Sequence, residues 1–408
     1  DLWLLDFLGA FLHSVMPDRF PVFIKTPFGI DVPDGFMIRL HKSLYGTRNA
    51  GHLWWKDLRK ALLELGFSQC PFDQCLFYKI DKDGTMTFLA TWVDDVLIAT
   101  NDPNIEQLRT KLRAMGFRIQ TLEHLSWYLG LGIEITETHL VINQSAYIDK
   151  LLEKFGMTDC HAVSTPMLKC TFNVGDSPPA PKGTPYRELL GGLNHLVRFS
   201  RCDGLFSVFF LARYQNAPSV AHWIALKRIL RYFKGTKDLC LRFRRGKASK
   251  EILLHLSAWC DADFAGCKDT RRSTSGYIIM VNGAPIVAKS RKQRLTAQSV
   301  CESETISAQD CTKDLVWLRG LIKWIFPEPL PPTDLHIDNQ ALIQIVTSKK
   351  NPAASKFFAL RQYFLKEHKE CGDINPIKVP TQDNLADLFT KPLGRIKFEY
   401  FRDRIFGV

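Results

Sequence analysis

At 408 residues with 46% apolar side chains, the chain is long enough for two or three domains with their own cores, which excludes a disordered protein. Its 54 lysines and arginines against 42 acids leave a formal charge of +12 and a pI near 9.1, which favours a polyanionic partner, nucleic acid being the commonest. The 11 cysteines form no CxxC pair and no His–Cys cluster at zinc spacing, so reduced core thiols of an intracellular protein are expected. Apolar runs such as Leu205 to Ala212 fall far short of a bilayer and no secretory leader opens the chain, so no membrane partner is expected.

The opening LWLLDFLGAFL (2–12), without a starting methionine, is expected to begin inside a domain, and it holds one acid, Asp6, in apolar surroundings. A carboxylate is rarely left alone in such a place unless it sits at the edge of an element. A proline-rich irregular stretch runs to about Pro33, and the basic RLHKSLYG (39–46) follows. Leu53, Trp54, Leu58, Ala61, Leu62 and Leu65 recur at helical spacing over 49–65, with Gly66 as the stop.

Residues 87–100, TFLATWVDDVLIAT, are two short β-branched runs joined at Asp94 and Asp95, which predicts a β-hairpin with two carboxylates at its tip. Adjacent like charges drive a proton onto one carboxyl unless a cation lies between them, and hard oxygen ligands suit Mg²⁺. Taken alone, the pair equally fits a surface turn that carries two acids. Asp102 and Pro103 then predict a helix start for the Ile105, Leu108, Leu112 and Met115 stripe, and a strand pair is expected near 128–135 and 139–143. Ser145 should cap a helix that buries Ile148, Leu151, Leu152 and Phe155.

From Thr171 to Pro185 four prolines fall in the last eight residues, which predicts a linker. Helices are expected near 186–200 and 219–233, the second capped by Ser219, and RFRRGKASK (242–250) marks a further boundary. Beyond it, strands near 252–260, 276–282 and 284–288 precede helices at 299–310 and 312–325. A strand at 334–338, helices at 339–347 and 355–369, a strand at 374–379 and a helix from Asn384 complete an α/β or α+β layered domain. In it Asp261, Glu304, Asp338 and Asp387 come from four separate elements and can converge at a sheet edge to hold two Mg²⁺ for phosphodiester chemistry, or can be four ordinary surface acids like Asp263, Glu302 and Asp310. Cations at Lys268, Arg271 and Arg272 and in AKSRKQR (288–294), including Lys289, Arg291 and Lys292, fit contacts to a phosphate backbone or a solvated edge.

Taken in order, LDFLGAFLHS (5–14), KSLYGTRNAGHLWW (42–55), WVDD (92–95), WYLGLGIEI (127–135) and PYRELLGGLNHL (185–196) resemble segments of copia-type LTR retrotransposon Pol polyproteins around their reverse transcriptase, and AHWIALKRILRYFKGT (221–236) resembles that family's connecting region. CDADFAG, DTRRSTSGYI, SRKQ, SVCESET, HIDNQALI and NLADLFTKPL resemble that family's ribonuclease H. The resemblance implies an α+β and α/β multidomain chain. It comprises a reverse-transcriptase palm and thumb over 1–168 with the fingers largely missing upstream, a linker and connection over 169–248, and a ribonuclease H-like domain over 249–408.

It further implies that Asp6, Asp94 and Asp95 bind two Mg²⁺, or Mn²⁺, for RNA-directed DNA synthesis from an RNA template, a DNA primer and dNTPs. Phe11 would exclude a ribose 2′-hydroxyl, and Tyr45 and Gly46 would lie near the template and nascent pair. Asp261, Glu304, Asp338 and Asp387 would bind two more ions and cut the RNA of an RNA/DNA hybrid, read by shape and 2′-hydroxyls. The chain departs from the family's usual residues at Trp92 (for Tyr), Asn49 (for Gln), Leu8 and Gly9 (for Lys-Thr), and at Phe357, Ala359 and Tyr363, where an inner His and Asp are lost. Three functions stay open: polymerase with nuclease, nuclease alone, and a catalytically dead nucleic-acid-binding remnant.

Overall fold

Strict alternation of apolar residues builds the first of two units, residues 1–126 with Trp324–Phe326. Its elements are β1 (Leu2–Phe7), β2 (Phe23–Ile24), β3 (Ile38–Arg39), α1 (Ala50–Glu64), β4 (Ser68–Gln69), β5 (Leu76–Ile80), β6 (Met86–Trp92), β7 (Asp95–Thr100), α2 (Glu106–Ala114) and β8 (Ile119–His124). Six strands form an antiparallel sheet in the order β4-β5-β6-β7-β1-β8. Leu5 and Phe7 of β1, Leu89 of β6, and Val96 and Ile98 of β7 point into one core with Trp54, Leu58, Ala61 and Leu62 of α1. Because strand side chains alternate in direction, Asp6 and Asp95 are carried on the opposite face. Asp102 does not cap α2 as the Asp-Pro pair predicts. Its side chain instead accepts from the Asn104 N–H at 2.7 Å in a local turn, and the helix begins at Glu106.

The computed structural model describes residues 1–169, 177–245, 254–348 and 356–408. The second unit, residues 127–323 and 327–408, contains β9 (Trp127–Tyr128), β10 (Leu131–Ile135), β11 (His139–Asn143), α3 (Ser145–Lys154), α4 (Tyr186–Phe199), α5 (Leu205–Ala212), α6 (Val220–Gly235) and β12 (Leu241–Arg244). These are followed by β13 (Leu256–Asp263), β14 (Thr274–Val281), β15 (Ala284–Lys292), α7 (Val300–Ile325), β16 (Thr333–Ile337), α8 (Gln340–Thr347), α9 (Lys356–Glu370), β17 (Ile374–Lys378) and α10 (Arg395–Phe406). β12-β11-β10-β9 form one sheet. The other, β15-β14-β13-β16-β17, is antiparallel on its β14 side and parallel from β13 to β17. Helices α3 to α6 share a core with Ile278 and Met280 of β14 and with Phe398 and Phe401 of α10. Among the described residues no helix is long and apolar enough to cross a membrane.

Several segments differ from the spacing-based expectation. Residues 171–176 of the expected linker and 246–250 of the basic stretch lie outside the described residues. Residues 177–185 are not free. The Val220 and Ala180 N–H groups bond the Pro178 and Pro218 carbonyls at 2.9 Å, and Ser177 Oγ accepts from Ala221, so the segment is tied to the start of α6. Ser219 caps α6 through a capping box in which His222, not an acid, is the reciprocal partner, worth about 1 kcal/mol. The uniformly apolar LFSVFFLA forms α5, which periodicity could not reveal because every face is buried.

The two helices expected around 310 are one, α7, since Asp310, Cys311 and Thr312 contain no breaker and Thr312 Oγ1 donates back to the Ala308 carbonyl within the helix. The last expected helix is two pieces: a 3-10 turn at Leu385–Phe389 and α10, separated by Pro392 and Gly394.

Candidate active site

In the first unit, register pairs Asp6 directly with Asp95 across β1 and β7, and the Phe7 N–H bonds the Asp94 carbonyl at 2.9 Å, so the three predicted aspartates come together. Trp92 pairs with Asp95, leaving Val93 and Asp94 as the turn. Val93 has φ +56°, a left-handed conformation that costs a β-branched residue about 1–3 kcal/mol. The buried Trp54 indole N–H donates to the Val93 carbonyl and holds that turn. All three carboxylates are half-buried. Burial, then repulsion from Asp94 and Glu123, raises the Asp6 pKa; burial, then Asp94 and Asp6, raises that of Asp95.

Phe11 and Tyr45 are brought into ring contact at 5.0 Å, and Ser43 Oγ donates to the Phe11 carbonyl. Tyr45 is exposed, and Gly46 beside it has φ +87°, a turn conformation that suits glycine.

In the second unit β13 and β16 run parallel with Trp259 opposite His336. Asp261 and Asp338, each two residues further on, therefore emerge at the same end of neighbouring strands. Glu304, in the second turn of α7, completes a group whose ligand oxygens lie within 4.8 Å of one another. Asp261 and Glu304 are each 3% exposed, and Glu304 Oε2 is buried with no hydrogen-bond partner among the described residues. Burial raises the Glu304 pKa, with Asp261 and Asp338 adding to it, and burial pushes Asp261 up to about 7. Three convergent acids, one with an orphaned oxygen, fit a divalent cation of the hard, oxygen-seeking kind.

Asp387 reaches this site on the 3-10 turn, not on a helix. Asn384 Nδ2 bonds the Cys260 carbonyl at 3.0 Å and Thr390 Oγ1 bonds Asp261 Oδ2 at 2.6 Å. The close approach needs Gly276, which pairs with Asp261 in β14: a Cβ there would stand 2.6 Å from Thr390 Cγ2 and 2.9 Å from the Phe389 backbone. The Asp387 carboxylate lies outside the 4.8 Å trio; Lys391 Nζ is 2.6 Å and Lys397 Nζ 2.5 Å from its oxygens. Burial pushes its pKa up, but the two ammonium groups more than offset this and lower it.

Thr390, Lys391 and Lys397 were not singled out from the sequence, although Lys391 stands one helical turn after Asp387. Neighbouring acids stay out of the trio: Asp263 is half-buried two residues on, Glu302 accepts from the Gln298 N–H, and Asp310 pairs with Lys313 at 3.9 Å. The three cations of β15 do not share a face. Lys289 and Arg291 are exposed, Lys289 in an ion pair with Asp314 at 2.6 Å, whereas Lys292 alternates to the other side. There it helps lower the Cys267 thiol to about 7 against the effect of burial.

The family model of reverse transcriptase (RNA-dependent DNA polymerase) matches residues 2–169. Over 98% of its length the chain is 32% identical to the retrovirus-related Pol polyprotein from transposon RE2 of Arabidopsis thaliana and 29% identical to that from transposon TNT 1-94 of Nicotiana tabacum. It spans 27% and 30% of the length of those two relatives. A solved foamy viral protease-reverse transcriptase in complex with RNA/DNA hybrid is similar at a TM-score of 0.49 and 14% identity, covering 96% of this chain and 45% of that one.

Proposed function

The chain belongs to the copia-type retrotransposon Pol polyproteins, and on that premise we propose that it carries two metal-assisted phosphodiester chemistries. Asp6, Asp94 and Asp95 serve RNA-directed DNA synthesis; Asp261, Glu304, Asp338 and Asp387 serve hydrolysis of the RNA strand of an RNA/DNA hybrid. We assign residues 1–168 to the polymerase, 169–248 to the connection and 249–408 to the nuclease. The observation that carries the reading is the convergence of Asp261, Glu304 and Asp338 within 4.8 Å around a buried, unpartnered carboxylate oxygen.

Two Mg²⁺ at each site, with Mn²⁺ as a substitute, would neutralise the clustered acids and stabilise charge on the attacking and leaving oxygens. The chain's own part is positioning. The β1–β7 register fixes Asp6 against Asp95, and the Trp54 indole holds the turn that carries Asp94. The Phe11–Tyr45 ring pair, with Gly46, would form the floor for the incoming dNTP and the template base. At the second site the parallel β13–β16 pair fixes Asp261 and Asp338, and α7 brings Glu304 within 4.8 Å of both. Lys289 and Arg291, exposed on one face of β15, would add backbone contacts of the salt-sensitive kind.

The test is Mg²⁺-dependent cutting of the RNA strand in a hybrid. Asp338→Asn should lower the rate by about two to three orders of magnitude while hybrid affinity persists. An unchanged rate would remove the assignment. Hybrid binding with no cutting by the unsubstituted chain would leave only the binding function.

A further inference from the structure

We propose that the cleft between Lys169 and the 391–397 segment seats one backbone phosphodiester, with its sugar, of the nucleic acid that passes the Asp261–Glu304–Asp338 cluster. The proposal deepens the nuclease reading and rests on it. The cleft has a volume of about 640 Å³ and is walled by Lys169, Lys391, Arg395 and Lys397, with Pro392 and Ile396 between them. Three of the four cations fall within seven consecutive residues, Lys391 ahead of α10 and Arg395 and Lys397 in its first turn.

Carboxylates hold three of these cations in place. Lys391 and Lys397 both pair with Asp387, and Arg395 pairs with Glu399 at 3.1 Å. Side chains already restrained in this way lose less rotamer freedom when an anion arrives. Lys169 makes no ion pair among the described residues, so it contributes charge that no carboxylate answers.

Lys391 ties the cleft to the chemistry. Its ammonium is 2.6 Å from Asp387 and 3.8 Å from Asp261, which makes it the shared wall between cleft and cluster. An occupant of the cleft therefore sits next to whatever the cluster acts on. The volume exceeds the space one phosphate needs, and Ile396, 87% exposed, offers the apolar surface on which a sugar packs. Cations plus an apolar wall beside an acidic cluster suit a nucleic-acid backbone better than a small free anion.

The experiment uses the full chain and RNA/DNA hybrids carrying a single uncharged methylphosphonate linkage at successive positions, with binding measured over a range of salt without divalent metal. In the unsubstituted chain one linkage at a fixed distance from the cut should weaken binding by roughly five- to tenfold when neutralised. In the Lys169→Ala, Arg395→Gln chain that position should no longer matter, and the slope of log affinity against log salt should fall by about 0.7–0.9 per removed charge. Lys169→Arg should restore the position dependence. Position effects identical in both chains, or inorganic phosphate displacing the hybrid at low millimolar concentration, would overturn the proposal. Cutting of RNA without the linkage effect defeats the cleft and leaves the nuclease reading; the linkage effect without cutting does the reverse.

Discussion

Asp6 and Asp95 face each other on a half-open strand pair, whereas Asp261, Glu304 and Asp387 are almost fully enclosed, at 3%, 3% and 0% exposure. Both sites crowd like charges, but they contain the repulsion differently. Around the first, water still reaches the carboxylates, and the rigid part is the backbone: a left-handed Val93 and an indole that grips it. Around the second, Asp261, Glu304 and Asp387 are buried and Asp338 half-buried, and compensation is built from side chains, with two lysines on Asp387, a threonine on Asp261 and a carboxyl pKa of about 7. An exposed acidic site can therefore be held by its turn, while a buried one has to be held by counter-charges or protons.

Four experiments bear on this contrast. The largest effect should come from a buried charge pair outside both acidic clusters. Arg201 and Asp203 are 1% and 2% exposed, joined by two hydrogen bonds, and tied to Tyr232 and Thr236. Arg201→Met should lower unfolding free energy by about 3–5 kcal/mol in urea titration, with no recovery on adding Mg²⁺.

Lys391→Met strips one counter-charge from the enclosed site and should cost less, about 1–3 kcal/mol, because the lysine side chain is 35% exposed. Here Mg²⁺ should restore stability, since an ion binding only the folded state contributes about 2.7 kcal/mol at a hundredfold excess over its dissociation constant. Asp94→Asn at the open site should stay within about 0.5 kcal/mol in the same assay. A metal-insensitive loss for Lys391→Met would make that lysine merely structural.

The pH dependence separates the sites further. The Asp261 carboxyl moves from 3.8 to about 7 on folding, so the folded state keeps a proton that the unfolded state gives up. Stability of the metal-free second unit should be greatest below about pH 4, fall as pH rises toward 7, and then level off; Mg²⁺ should flatten the fall. Asp387, with its lowered pKa, works in the opposite sense, adding stability that disappears in acid. Hydrogen exchange at β13 amides reports the sum, and a rise in protection from pH 5 to 7 would contradict it.

Substitutions that test how the turn is held should have moderate to small effects. Trp54→Phe keeps an aromatic side chain but removes the indole donor and part of the buried ring, and should destabilise the first unit by about 1–3 kcal/mol. Val93→Gly relieves the left-handed strain and should be neutral or stabilising by up to about 1 kcal/mol.

The open site was legible in the sequence because its determinants are local: alternation gives β6 and β7, and two adjacent aspartates mark the tip. The acids of the enclosed site were legible as motifs, yet their balance was not. Lys397 meets Asp387 only because Pro392 and Gly394 split the last helix and turn α10 back, and Gly276 matters only because Thr390 crosses β14 there. These are tertiary facts with no period or composition to announce them. α5 escaped for the same reason: uniform apolarity erases the stripe that betrays a helix. The 177–185 segment shows the converse, since prolines that look like a linker can be anchored through their carbonyls.

The most direct test is one labelled primer on an RNA template, incubated with dNTPs and Mg²⁺, in which extension and RNA cutting are read from the same gel for three chains. The account predicts that Asp94→Asn loses extension but still cuts, that Asp338→Asn stops cutting but still extends, and that the unsubstituted chain does both. Loss of both activities on either substitution, or extension surviving Asp94→Asn, would contradict two independent metal-assisted sites.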